Sequence, residues 1–124
     1  MCLFKTWLGG WTTSVRMNES VKMNCLFGCT DARDELRHYV ECSPLWQIAG
    51  EIMQVQSPLD LRERLCLLNP SVDRCVMLAL CFQGYHYAKS LCDGHGDTRS
   101  KIQDGRKMQA SVKEAMKTFV HNFA

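Results

Sequence analysis

The sequence has no apolar run longer than the eight residues of "CVMLALCF", Cys75 to Phe82. A membrane-crossing helix needs about eighteen or more, so none is expected here. Basic residues are also not massed: Lys and Arg are interspersed with Asp and Glu for a net charge of +2, and no polybasic stretch attracts nucleic acid or a membrane surface by charge alone. Alternating strand-like patterns are scarce, no internal repeat is evident, and no linker rich in Pro, Gly or Ser divides the chain. The opening "MCLFKTWLGGWTTSVR" lacks a basic start, an uninterrupted apolar core and a small-residue cleavage site. The expectation is an intracellular protein of the nucleus or cytoplasm, with no membrane partner.

Cysteine, by contrast, is abundant, with eight in 124 residues. In a reducing compartment, close-set Cys and His point to metal, and scattered Cys act as small apolar core residues. Cys25, Cys29 and Cys42 cluster with His38, whereas Cys2, Cys66, Cys75, Cys81 and Cys92 are spread through helix-like segments.

Helical signals fill most of the remainder. A lead-in of residues 1–24 carries Leu3, Phe4, Trp7 and Leu8 before Gly9-Gly10 interrupts it. Asp31 is placed to cap a helix through "ARDELRHYVEC". Ser43-Pro44 reads as N-cap and first helical position of a second, with Leu45, Ile48, Ala49, Ile52 and Met53 at the helical period. Ser57-Pro58 starts a short helix that Asn69-Pro70 ends. Ser71 caps a long one whose middle is apolar on nearly all sides, with Tyr85, His86 and Tyr87 as its polar-tipped end. After the loop "CDGHGD", a last helix runs from about Thr98, with Met108, Val112, Ala115, Met116, Phe119, Val120 and Phe123 as its apolar stripe and Gly105 as its weak point. The fold class expected is mainly α, with a small CCHC zinc knuckle over residues 25–42 followed by a compact helical bundle over 43–124.

The knuckle expectation rests on ligand chemistry. Structural zinc takes a tetrahedral set of thiolates and imidazoles, commonly as two close pairs. Cys25-x3-Cys29 supplies one pair and His38-x3-Cys42 the other. Gly28 can take positive φ, so the chain can turn tightly enough to aim both thiols at one point. Residues four apart on a helix share a face, which would present His38 and Cys42 together. Four protein ligands close the site to water, so one structural Zn2+ is expected and no catalytic metal. A second set, Cys81, His86, Cys92 and His95, does not share a helical face and is set aside.

With Gly28, Leu36, His38, Tyr39 and "CSPLW" in view, the segment resembles the cysteine-rich C-terminal region of non-LTR (LINE-type) retrotransposon reverse transcriptases, which carry a CCHC knuckle of the form C-x-x-G-C, then a His segment such as L-x-H-Y, then a final Cys. The resemblance covers Lys5 to about Trp46. The chain contains no Y-x-D-D or F-x-D-D polymerase motif and no spaced acidic set with a Lys for a nuclease, so no enzyme activity is expected. What the resemblance implies is a non-catalytic region of a larger reverse transcriptase that engages RNA or single-stranded DNA. Candidate contacts are Phe27 and Tyr39 for base stacking and Arg33 and Arg37 for phosphates, with Arg16 and Lys22 upstream. The alternative is a zinc-stabilised protein-interaction domain that docks through the Met108 to Phe123 stripe and binds no nucleic acid.

Overall fold

A computed structural model describes Thr13 and residues 24–93 and 105–123. Their helices are α1 (Leu36–Tyr39), α2 (Ser43–Met53), α3 (Leu61–Arg64), α4 (Val72–Asp93) and α5 (Gly105–Phe123). The protein is mainly helical, and the described residues include no strand, only an isolated antiparallel bridge between Asn24 and Arg33. None of the described helices is long and apolar enough to cross a membrane. The lead-in other than Thr13 and Asn24, the "CDGHGD" loop beyond Asp93, and the start expected near Thr98 lie outside the described residues.

α4 and α5 form the centre. Gly84 lets them approach closely: a Cβ there would stand 3.0 Å from the Met116 sulfur and 3.1 Å from a Val112 methyl. Around this contact Met77, Leu78, Leu80, Cys81, Phe82 and Tyr85 of α4 are buried with Met108, Val112 and Met116 of α5. Leu45, Trp46, Ile48 and Ala49 of α2 complete the core, and Cys25, Leu26, Phe27, Tyr39 and Cys42 belong to the same apolar cluster. The Cys-rich segment is therefore built on the bundle's own core.

Local signals are met with shifts of a few residues. α2 takes Cys42 as N-cap and Pro44 in its first turn, one residue earlier than Ser43-Pro44 suggests, and ends on Gln54 in the left-handed region at φ 58°. Ser71 starts α4 by accepting from the Arg74 N–H at 3.2 Å. The short third helix begins at Asp60, whose carboxylate accepts from the Arg62 N–H at 2.8 Å, and not at Ser57-Pro58. It stops after one turn, because the chain reverses through left-handed Cys66 and Asn69.

Three expectations are overturned. Tyr85 is no polar tip at a helix end: it is fully buried in mid-α4, and its hydroxyl donates to Asp34. The stripe of α5 is no free docking face, because Met108 is buried and Val112 and Met116 are buried against Gly84 of α4, while Ala115, Phe119 and Val120 are half-buried. Cys75 is exposed, unlike Cys66 and Cys81, which are core residues as expected.

Candidate metal centre

The segment from Asn24 to Arg33 closes on itself. The Cys25 N–H donates to the Ala32 carbonyl at 2.9 Å, and the Gly28 N–H to the Cys25 carbonyl at 3.2 Å. Gly28 sits at φ +90°, a conformation that costs a side-chain-bearing residue steric strain, and so turns Cys29 back toward Cys25. The Phe27 N–H points at the Cys25 sulfur at 3.4 Å. Gly28 and Asp31, at φ 55°, place both reversals inside the loop. Asp31 is thus a turn residue and caps no helix.

The second pair is delivered differently from the sequence expectation. His38 lies in α1, a single turn, and Cys42 lies past its end as the N-cap of α2, so the two do not stand on one continuous helix. Tertiary hydrogen bonds hold the break open. The Trp46 indole N–H donates to the Tyr39 carbonyl at 2.9 Å, and the Arg64 guanidinium donates to the Val40 carbonyl at 2.8 Å. The Arg64 guanidinium also stacks 4.9 Å from the Trp46 ring centroid. The backbone acceptors at the end of α1 are satisfied from outside, so the chain can leave the helix and swing Cys42 inward.

The result is convergence. The ligand atoms of Cys25, Cys29, His38 and Cys42 all lie within 4.8 Å of one another, and the cluster could hold one metal ion. The sulfurs of Cys25 and Cys29 each lie 3.8 Å from that of Cys42. A disulfide would bring two sulfurs to about 2.05 Å, so these are free thiols. A tetrahedron of sulfurs about 2.3 Å from a central ion has edges of about 3.8 Å. The spacing is that of ligands around an ion.

Electrostatics give the same answer. The Cys25 thiol is drawn down to about 5, chiefly by a hydrogen bond from Cys42 and also by the backbone N–H groups of Cys29 and Phe27, against the opposing effect of burial. The Cys42 thiol is pushed up by giving that hydrogen bond and by burial, and the Cys29 thiol is pushed up by burial and by the charge on Cys25. Without a cation the three thiols cannot ionise together. Among the described residues, moreover, His38 Nε2 is a buried nitrogen with no hydrogen-bond partner. A buried, unpaired ring nitrogen beside three thiols is costly unless it is a ligand. The residues present fit a metal ion.

The remaining candidates separate. Arg33 and Arg37 are exposed next to the cluster. Phe27 and Tyr39 are fully buried, their rings edge to face with centroids 6.0 Å apart. Neither presents a face to a base, because both rings form the floor on which the loop sits; the expectation that they stack on nucleic acid is corrected. Arg16 and Lys22 lie outside the described residues.

Sequence reasoning missed the polar network beneath. Asp34, which local charge patterning assigns to a solvated helix face opposite Arg33 and Arg37, is wholly buried. Its carboxylate accepts from Tyr39 Oη at 2.6 Å, Tyr85 Oη at 3.0 Å and Lys89 Nζ at 3.2 Å, and Tyr39 Oη in turn accepts from the Leu26 N–H at 3.2 Å. No sequence spacing signals partners more than fifty residues apart. In comparisons with protein-family models, curated proteins and solved structures, nothing matched this chain.

Proposed function

We propose that this chain is a non-catalytic region of a non-LTR retroelement reverse transcriptase in which one Zn2+ on Cys25, Cys29, His38 and Cys42 staples the loop to a helical bundle. The observation that carries the zinc reading is the cluster itself, three thiols and an unpartnered imidazole nitrogen with the sulfur spacing of a tetrahedral site. Soft thiolate and imidazole donors in that geometry select zinc over oxygen-seeking cations. Four protein ligands leave no position for water, so the bound ion contributes folding energy and no hydrolytic chemistry. The retroelement assignment is supported by the C-x-x-G-C, L-x-H-Y and C-S-P-L-W sequence pattern, and intracellular reducing conditions are those in which such thiolates persist.

Metal content of freshly purified protein tests this reading. One zinc per chain is expected, lost in both Cys29→Ser and His38→Ala. A folded, metal-free wild type sinks it.

A second element concerns nucleic acid. Arg33 and Arg37, exposed beside the cluster, support phosphate contact without base stacking, and hence weak, salt-sensitive and sequence-tolerant binding to RNA or single-stranded DNA. Fluorescence anisotropy with a single-stranded RNA at low salt is the measurement, and Arg33→Ala with Arg37→Ala should lower affinity. If wild type does not bind at low salt, the region serves as a zinc-stapled scaffold for protein contacts.

A further inference from the structure

We propose that α5, through Gln109 and Gly105, tunes the metal affinity of the cluster, so that zinc binding and docking of the first turns of this helix on the Cys-rich turn are linked equilibria. The inference rests on the zinc reading above and extends it to residues some eighty positions from the first ligand.

The contact is specific. Gln109 Nε2 donates to the Phe27 carbonyl at 2.8 Å, while the Phe27 N–H points at the Cys25 sulfur at 3.4 Å. Phe27 is therefore pinned at both ends, one by α5 and the other by a ligand. One residue on, the backbones of Gly28 and Gly105 meet: a Cβ at Gly105 would stand 2.7 Å from Gly28 Cα and 2.8 Å from the Phe27 carbonyl oxygen. Those neighbours are backbone atoms of the ligand-bearing turn, which cannot rotate aside as a side-chain tip can. Gly105, read from sequence as the weak point of its helix, is the residue that lets the helix reach the turn. Hydrogen-bond partners of a metal ligand, of which the Phe27 N–H is one, typically alter affinity by about 10 to 100-fold when lost, and Gln109 holds that partner in place. By thermodynamic reciprocity, what the docked helix contributes to metal binding, the metal returns to the docking of the helix.

Zinc affinity measured by competition with a chromophoric chelator tests the linkage, using the full chain, Gln109→Met, Gly105→Ala and Lys113→Met. Met keeps the length and helix preference of Gln but donates no hydrogen bond. Ala is the better helix former than Gly, so a role confined to helix stability predicts unchanged or tighter binding in Gly105→Ala. The expected result is zinc held about tenfold more weakly in Gln109→Met, and more weakly still in Gly105→Ala. Lys113→Met removes an exposed ion pair from the same helix and should leave affinity unchanged. Equal affinities in all four proteins, each binding one zinc, overturn the linkage and leave the zinc site standing. A wild type that binds no zinc overturns both. Hydrogen exchange of the wild type gives a variant-free check: chelation should speed exchange in the first turns of α5, and unchanged protection there overturns the proposal.

Discussion

The Cys-rich turn and the α4–α5 contact solve the same problem, bringing distant chain segments together, by opposite physical means. Around Gly84 the two long helices bury methionine and valine against a backbone with no side chain in the way, an interaction that is apolar, continuous and proportional to area. Around Cys25 the chain is short, its helix is a single turn, and its contacts are directional: thiols 3.8 Å apart, an amide aimed at a sulfur, and a buried carboxylate receiving two tyrosines and a lysine. Apolar packing tolerates small displacements. A polar network in a low-dielectric interior is stable only when every partner is present.

Metal removal should separate the two regions most widely. Structural zinc binds with about 10–16 kcal/mol, more than the entire stability of most domains of this size. On adding a strong chelator, amide exchange over residues 24–42 should collapse while the middle of α4 keeps much of its protection; equal loss everywhere would show that the two regions fold as one unit. Next in size, Lys89→Met takes the cation from a buried ion pair 3.2 Å long, with both side chains nearly free of solvent. Removing one partner of such a pair costs about 3 kcal/mol or more, measurable as a lower urea midpoint. A midpoint equal to wild type would mean that the two tyrosines alone hold the Asp34 carboxylate.

On the apolar side, Met116→Ala opens a cavity against Gly84 and should lower stability by about 2–4 kcal/mol. It should do so with or without chelator, and a loss seen only in the absence of chelator would mean that the apolar contact depends on the Cys-rich turn. The smallest effect belongs to the exposed pair of Lys113 and Glu51, 3.0 Å apart between α5 and α2. Lys113→Ala should unfold within error of wild type, since solvent and salt screen such pairs. The Glu51 carboxyl is held below its usual range by Lys113, so any stability this pair contributes is present at neutral pH and fades as pH falls through the lowered value.

These contrasts also mark what could be read from the chain. The apolar period of α2 and α5 and the Ser71 cap were legible because each depends on residues within a turn or two of one another. The Cys/His cluster that could hold a metal was legible from the types and spacings of Cys25, Cys29, His38 and Cys42, but the route was not. A continuous helix from Asp31 to Cys42 is the natural local expectation, and the structure confines it to the single turn Leu36–Tyr39. The acceptors at that break are satisfied by Trp46 and Arg64, residues that no local pattern connects to it. Phe27 and Tyr39 were misread for a related reason. An aromatic beside a Cys-rich turn has the same sequence signature whether it faces solvent or core, and only the placement of α4 against Tyr39 and of α5 against the Phe27 backbone decides.

The sequence by itself determined a helical protein with one close-set group of metal-ligating residue types, because side-chain periodicity and ligand chemistry are local properties. The tertiary structure decided that Asp34 is buried, that Tyr85 and Lys89 answer it, and that Gly105 and Gln109 close on the Cys-rich turn. Those outcomes depend on which segments meet once the apolar faces of α4 and α5 have been removed from water, and a buried charge or a close backbone approach acquires its meaning only from what stands opposite.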